Sequence, residues 1–223
     1  MTEENILPKL DRLESFDERS RDFPIRALLD MSKQPRSYSW GCNAWLDQGR
    51  EGACVGFAWG HELAARPFVV SNVDNNLAKN IYRVARTLDE WPGENYEGTS
   101  VIAGAKAVQK IRPNAMSGYR WAFGIDDVIQ TLGYFGPVIL GINWYNDMYT
   151  PDAAGFIRPT GSRVGGHAIL ARGVSISRRV VKLRNSWGSD WGMIGDCLIT
   201  FEDLDKLLRE RGEACIPVGR NIG

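Results

Sequence analysis

The sequence lacks the features that would place the chain in a membrane or on a polyanion. No uncharged apolar run in its 223 residues approaches the ~20 residues of a membrane span. The charged N-terminus has no apolar core of the kind found in secretory signals. Lysine plus arginine equals aspartate plus glutamate, 27 against 27. We therefore expect a cytoplasmic globular protein with neither a nucleic-acid nor a membrane partner.

Cysteine is also scarce. There are four: Cys42, Cys54, Cys197 and Cys215. Without a secretory signal, free thiols in a reducing compartment are the expectation. If one disulfide forms, Cys197 and Cys215 are the first pair to test, because they bracket the last predicted helix. Internal repeats and low-complexity tracts are absent from the sequence.

The periodicity of apolar residues predicts a helical first half and a strand-rich second half. Residues 1–39 are polar and broken by prolines, which predicts an extended segment with a short helix near 25–31. Helices are predicted over 54–65, 76–89, 101–110, 125–134 and 202–211, with a loop rich in glycine and acid at 91–100. Strands are predicted over 119–123, 138–144, 167–174, 179–185 and 197–201. We expect three parts: 1–39, a helical lobe 40–115 and a β-rich lobe 116–223.

The stretch from Gln48 to Trp59 carries the first chemical signal. Cys54 lies at the start of the first predicted helix, where the helix dipole and unpaired N–H groups favour a thiolate. Gly49 and Gly52 let backbone amides approach whatever the sulfur attacks. Gln48 can add a side-chain amide donor as an oxyanion stabiliser. An isolated cysteine of this kind is more often a small buried residue. Possible catalytic partners elsewhere in the sequence must therefore decide between a structural and a catalytic role.

Histidine is the side chain suited to proton transfer at neutral pH, and the chain has only two. His61 lies seven residues after Cys54 on the same predicted helix, roughly 10 Å along its axis, which is too far to share a proton. We expect it to be a surface or partly buried structural residue. His167 opens a strand in the other half, and Asn185 in KLRNSWGSDWG can orient its ring. Trp187 and Trp191 would cover that hydrogen bond.

Together these motifs resemble the papain-like cysteine peptidases. The order QGxxGxC, GHAIL and RNSWGSDWG covers roughly residues 45 to 201. The resemblance implies an α+β, two-lobed fold, with a helical N-terminal lobe, an antiparallel β-barrel-like C-terminal lobe and the site in the cleft between them. It implies that Cys54 is the nucleophile, His167 the general base and acid, and Asn185 the orienting residue. Gln48 then supplies half of the oxyanion hole, and Trp187 shields the asparagine. No metal or cofactor is implied.

The resemblance also implies a substrate site. Gly98, in YEGTS, would hydrogen-bond an extended peptide. The main specificity pocket would be lined by Thr99 and Ser100 and surrounded by Gly141, Gly165 and Ala168.

Three positions depart from the family pattern. Glu51 stands where a disulfide cysteine is common, Val55 where tryptophan is typical, and Gly166 where a polar residue often precedes the histidine. These departures resemble the bacterial or phage intracellular branch. They weaken any transfer of substrate preference or acidic pH optimum.

The leading hypothesis is a cysteine peptidase that hydrolyses polypeptides through a thioester acyl-enzyme. One alternative is acyl transfer, ligation or deconjugation by the same residues. Another is a non-catalytic binding or structural module. We also expect residues 1–39 to wrap the β lobe and not to plug the cleft, because this segment is short and runs directly into Trp40.

Overall fold

The computed structural model describes residues 7–91 and 96–220. The first six residues of the N-terminal segment, and positions 92–95 of the predicted loop, lie outside these ranges. The helices are α1 (Cys54–Leu63), α2 (Asn75–Arg86), α3 (Val101–Ile111), α4 (Ile125–Tyr134) and α5 (Phe201–Arg209). The strands are β1 (Tyr38–Ser39), β2 (Gly118–Trp121), β3 (Val138–Tyr145), β4 (Arg163–Ser175), β5 (Val180–Arg184), β6 (Asp196–Thr200) and β7 (Glu213–Val218).

Each helix and strand predicted over residues 54–211 has a counterpart in the structure. The predicted short helix near 25–31 is a 3₁₀ turn, Ile25–Leu28. Strands β1 and β7 were not predicted. β1 is only two residues long, and β7 follows α5 after a short turn, where EACIPV carries no alternation of apolar and polar residues.

Helix α1 is surrounded by protein. All ten of its residues are buried, as expected for a helix with few polar side chains. Gly56 lets α2 approach closely, since a Cβ there would overlap the backbone of Ala78. Gly104 of α3 leaves room for the ring of Trp59, since a Cβ there would overlap that ring. The close packing fixes where the N-terminus of α1, and therefore Cys54, points.

The second half is built on one antiparallel sheet. Its order is β2-β7-β3-β4-β5-β6, with β1 added alongside β4. The sheet is open, so the expected "barrel-like" description is loose. One buried apolar cluster gathers around α1 to α3, and a second lies between the sheet, α4 and α5. This is the two-lobed α+β fold that the sequence predicted.

Residues 23–40 lie against the β-rich half, around which residues 1–39 were expected to wrap. Phe23 accepts a hydrogen bond from the backbone of Trp121, Arg26 pairs with Asp127 of α4, and the Trp40 indole donates to the carbonyl of Leu132.

A buried ionic cluster holds the end of the N-terminal segment against the sheet. Asp196 of β6 accepts hydrogen bonds from Arg172 Nε at 3.0 Å and from Arg184 Nε at 2.7 Å. Arg172 also donates to the carbonyl of Trp40, and Arg184 to that of Ala44. The stretch that leads to Gln48 is thereby held against strands β4 to β6.

Within the described residues, no helix combines the length and apolarity needed to cross a bilayer.

Candidate active site

Cys54 is the first residue of α1 and is fully buried. Ala53 precedes it and offers no side chain to cap the helix. The backbone N–H groups of Ala168 on β4 and of Val55 favour the thiolate and lower the pKa of Cys54. Burial outweighs them and raises the pKa of Cys54 to about 12. In this structure the residue is therefore a neutral thiol at physiological pH.

His167 lies on β4, directly before Ala168, and is also fully buried. Its Nε2 is 2.8 Å from Oδ1 of Asn185, which follows β5. Because an amide oxygen only accepts, Nε2 carries the hydrogen and Nδ1 presents a lone pair. Nδ1 has no hydrogen-bond partner among the described residues. Burial lowers the pKa of His167 to about 4, with the Asn185 hydrogen bond acting in the opposite direction.

Aromatic rings cover the pair. Trp187 lies 5.1 Å from the His167 ring, centroid to centroid, and Trp144 of β3 packs edge-on at 4.7 Å. Trp191 packs edge-on against Trp187, with the ring centroids 5.2 Å apart. The sequence analysis identified Trp187 but not Trp144, because a tryptophan within an apolar strand is usually interpreted as a residue of the hydrophobic core.

Gln48 is held by the other half of the protein. Its backbone N–H and side-chain Oε1 bond to Ser186, the residue after Asn185, at 2.9 and 2.7 Å. Its Nε2 donates to the carbonyl of Glu51 at 2.8 Å and to that of Lys9 at 3.1 Å. The amide donor is therefore fixed in direction and engaged by two carbonyls of the chain itself.

The Lys9 carbonyl belongs to a segment, residues 9–13, that lies in the cleft. Arg12 N–H donates to Gly166 O at 2.9 Å, and Leu13 N–H donates to Thr99 O at 3.0 Å. Thr99 N–H donates back to Asp11 O at 3.2 Å. The segment runs between α3 and β4 and pairs in parallel with Thr99. The expectation that residues 1–39 leave the cleft open was wrong for residues 9–13.

Glycines explain why the segment fits. A Cβ at Gly98 or at Gly166 would overlap the carbonyl oxygen of Asp11 or of Arg12, respectively. A Cβ at Gly52 would overlap the Asp11 carboxylate. That carboxylate raises the pKa of Cys54 further, after the larger effect of burial. Within the segment, Asp11 thus opposes thiolate formation, whereas the charge of Arg12 favours it by a smaller amount.

The predicted substrate contacts are partly reassigned. Gly98 donates its N–H to the Tyr82 hydroxyl at 3.0 Å, and it is Thr99 whose backbone N–H and C=O pair with an extended chain. The side chain of Thr99 bonds to Asp89. Ser100 caps α3 through Ala103 N–H at 3.2 Å, so its hydroxyl serves the helix. In this structure Thr99 pairs with Asp11 and Leu13 of the chain itself, and the peptide-binding role of Gly98 stays a prediction.

Gly141 of β3 faces Ala168 of β4. The Arg12 side chain lies against Gly141 and reaches Glu213 of β7, its Nε and Nη2 lying 3.1 and 2.7 Å from Oε2. Gly165 borders the cleft elsewhere, against Leu10. Neither Arg12 nor Glu213 was predicted as a site residue. Their pairing joins positions 201 residues apart, and no local pattern signals it.

The remaining histidine and cysteines are structural. His61 is fully buried, contrary to the expected surface or partly buried position, and its Nε2 accepts the N–H of Leu46 at 3.1 Å. It therefore supports the loop that carries Gln48. All four cysteines are free thiols and all are buried. The pair Cys197 and Cys215 forms no disulfide in this structure.

Comparisons with known proteins agree on the fold. Xylellain, a cysteine protease from Xylella fastidiosa, matches with a TM-score of 0.71 and 19% identity, covering 97% of this chain and 99% of that one. Bromelain from Ananas comosus, solved with the E64 inhibitor, matches with 0.58 and 16%, covering 83% and 99%. Digestive procathepsin L 3 of Tenebrio molitor matches with 0.58 and 16%, covering 85% and 72%.

Neither a protein-family model nor a curated protein sequence matches the chain. The structural matches extend over most of its length, so the likeness is not limited to one lobe. The chain therefore has the fold of the papain-like cysteine proteases.

Proposed function

We propose that this protein is a cysteine peptidase that hydrolyses peptide bonds through a thioester. In this proposal the helical lobe, residues 40–115, supplies the nucleophile Cys54, and the β-rich lobe, residues 116–223, supplies His167 and Asn185. The observation that carries it is the hydrogen bond between His167 Nε2 and Asn185 Oδ1, which leaves Nδ1 free to accept a proton. The next residue on β4, Ala168, lies close enough to Cys54 for its backbone N–H to lower the pKa of the thiol.

The chemistry follows from these atoms. The thiol proton passes from Cys54 to Nδ1 of His167, and the sulfur attacks the substrate carbonyl carbon. The oxygen of that carbonyl becomes negative and is stabilised by Nε2 of Gln48. The peptide C–N bond then breaks as His167 returns the proton to the leaving amine. Water, deprotonated by the same ring, attacks the thioester carbon and releases the acid and the thiol.

Residues 9–13 must leave the cleft before this can occur. They engage Gln48, Thr99 and Gly166, which are the groups that would bind a peptide. We propose that the segment holds the enzyme in a resting state. Its departure would readmit water, which lowers the pKa of Cys54 and raises that of His167, because burial is the largest cause of both shifts.

The test is covalent labelling of the full chain by a thiol-reactive epoxide, together with hydrolysis of a fluorogenic peptide library. It is made in the Leu13→Pro variant, which lacks the N–H that holds the segment to Thr99. We expect one label, on Cys54, and loss of both label and hydrolysis in Cys54→Ala. The matched control Cys42→Ala removes a thiol remote from the cleft and should retain both.

The alternatives give different results in the same assay. Products that carry an added amine nucleophile in place of water would identify an acyl transferase. Absence of labelling and hydrolysis in a folded Leu13→Pro variant would identify a non-catalytic module and refute the proposal.

A further inference from the structure

Trp45, Met193 and Ile194 form an exposed apolar surface on two loops of the protein. Trp45 is 47% exposed, Met193 38% and Ile194 67%. The Trp45 indole N–H donates to the backbone carbonyl of Ile194 at 3.0 Å, and this hydrogen bond joins the two loops. The Arg184 guanidinium lies 5.1 Å from the centroid of the Trp45 ring, which helps to fix the ring in place. We call the three apolar side chains the loop patch.

The backbone of Ile194 is strained. Its φ of 56° lies in the left-handed region, which a β-branched residue rarely adopts. Hydrogen bonds of its neighbours hold this turn: Met193 N–H donates to Asp196 O at 2.8 Å, and Asp196 N–H donates to Met193 O at 3.3 Å. An isoleucine here costs stability and stays mostly exposed, so packing within the chain does not account for it. Strain of this kind is concentrated at functional sites.

The loops that carry the loop patch also hold the proposed catalytic groups. Trp45 is three residues before Gln48. The N–H of Asn185 donates to the carbonyl of Gly195, the residue after Ile194, at 2.9 Å. Three residues of an extended chain span roughly 10 Å. A polypeptide bound at Gln48 therefore needs only a few further residues to reach the loop patch.

Two carboxylates on the same loops give the surface a negative charge. Asp47 forms an isolated antiparallel bridge with Trp187, and its Oδ2 would lie 3.4 Å from a Cβ on Gly188. Asp190, two residues further along, is exposed, as is Asp47. Over the described parts of the chain, both carboxylates accept hydrogen bonds only from sequence neighbours, and neither has a lysine or arginine partner. Uncompensated acids beside an apolar surface favour a ligand that is both apolar and basic.

We propose that the loop patch binds a part of the polypeptide substrate outside the reacting residues and selects an apolar side chain next to a lysine or arginine. This inference rests on the proposed peptidase function. The apolar side chain covers Trp45 and Ile194, and the basic one lies near Asp47 and Asp190. A second copy of the chain is a poorer occupant, because a two-fold contact would bring the same carboxylates face to face.

The experiment uses the full chain opened by Leu13→Pro, or by Arg12→Ala if that variant does not fold. Internally quenched peptides share one core and are extended by about four residues on one side of it or on the other. The core comes from the most readily hydrolysed library peptide or, if none is hydrolysed, from residues 9–13. Each extension carries Leu-Lys, Ser-Lys or Leu-Glu. On one side we expect kcat/KM to favour leucine over serine by on the order of 10-fold, and lysine over glutamate by about 3-fold.

Variants of the loop patch test whether these preferences arise there. Ile194→Asn removes the apolar side chain and supplies a residue that tolerates the left-handed conformation. Its melting temperature should be at least that of the parent, while the ratio of leucine to serine falls to about 1. Asp47→Asn together with Asp190→Asn should abolish the lysine preference alone. Val69→Asn is the matched control, since Val69 is 46% exposed on the loop after α1, and it should retain both preferences.

A binding measurement separates this inference from the proposed function. The same peptides are titrated into opened chains that carry Cys54→Ala, with and without Ile194→Asn. A leucine preference that depends on Ile194, without turnover in the Cys54 protein, would retain the loop patch and refute the peptidase. Equal values for leucine and serine on both sides, or a preference that survives Ile194→Asn, overturn the assignment. Sedimentation velocity tests the other occupant: a natural chain that dimerises, and an Ile194→Asn chain that does not, would assign the patch to a second copy and overturn the proposal.

Discussion

Replacing Leu13 with proline should open the cleft without altering the reactive groups. The change removes one N–H, which donates to Thr99 O at 3.0 Å. Leaving the buried Thr99 carbonyl without this donor costs about 1–3 kcal/mol. The closed state is therefore weakened by this amount, equivalent to a population of open chains about 5-fold to 150-fold larger.

Iodoacetamide alkylation, followed by intact mass and peptide mapping, measures this population. Cys54 should react at least ~5-fold faster in Leu13→Pro than in the natural sequence, since only the open state exposes the sulfur. Leu13→Ala is the matched control: it loses the half-buried side chain but retains the N–H, and its rate should stay close to that of the natural chain.

The other three cysteines serve as an internal reference. Cys42, Cys197 and Cys215 are buried in the two lobes and not in the cleft. Release of the segment exposes Cys54 alone, whereas unfolding exposes all four. The reasoning is refuted if folded Leu13→Pro and Leu13→Ala alkylate at the same rate.

Three further predictions address the site and the fold. Asp196→Ala should lower the free energy of unfolding by about 3–5 kcal/mol in urea titrations, because Arg172 is left as a buried charge without its partner; a loss below ~1 kcal/mol would contradict this. His61 and His167 have pKa values lowered to about 3 and about 4 by burial, so their contribution to stability is complete above the unfolded pKa near 6.5 and is lost as pH falls towards those values. Melting temperatures between pH 7 and pH 4 test this, and a melting temperature that stays constant or rises on acidification would refute it. Gln48→Ala in the opened chain should reduce kcat about 10²–10³-fold and leave Cys54 alkylation in place, since it removes an oxyanion donor and not the nucleophile; an unchanged kcat would exclude that role.

The elements were predictable because their signals are local. The α4 pattern of IDDVIQTLGY has two acids in its first turn and an apolar face, and the helix covers the predicted range Ile125–Tyr134. The sequence alone likewise shows Cys54 at the start of a predicted helix. It also shows a histidine followed, further along the chain, by an asparagine in NSWG. The hydrogen bond between His167 and Asn185 was expected on this basis and is present.

The occupied cleft could not be predicted, because it depends on contacts between distant parts of the chain. Residues 9–13 have no pattern that distinguishes a chain in the cleft from one on the surface. Their position is set by glycines at 52, 98 and 166 and by Glu213 near the other end of the chain. Thr99 likewise acquires its pairing role from the bend at Gly98, whose φ of 92° directs its N–H towards Tyr82.

Covering Cys54, the proposed nucleophile, also bears on its chemical lifetime. Peroxides oxidise thiolates far more readily than thiols, and they need access to the sulfur. With residues 9–13 in position, Cys54 is both enclosed and, with a pKa of about 12, fully protonated at neutral pH. The closed chain can therefore persist in an oxidising medium that would inactivate the open one, so the step that confers reactivity also begins the exposure of Cys54 to damage.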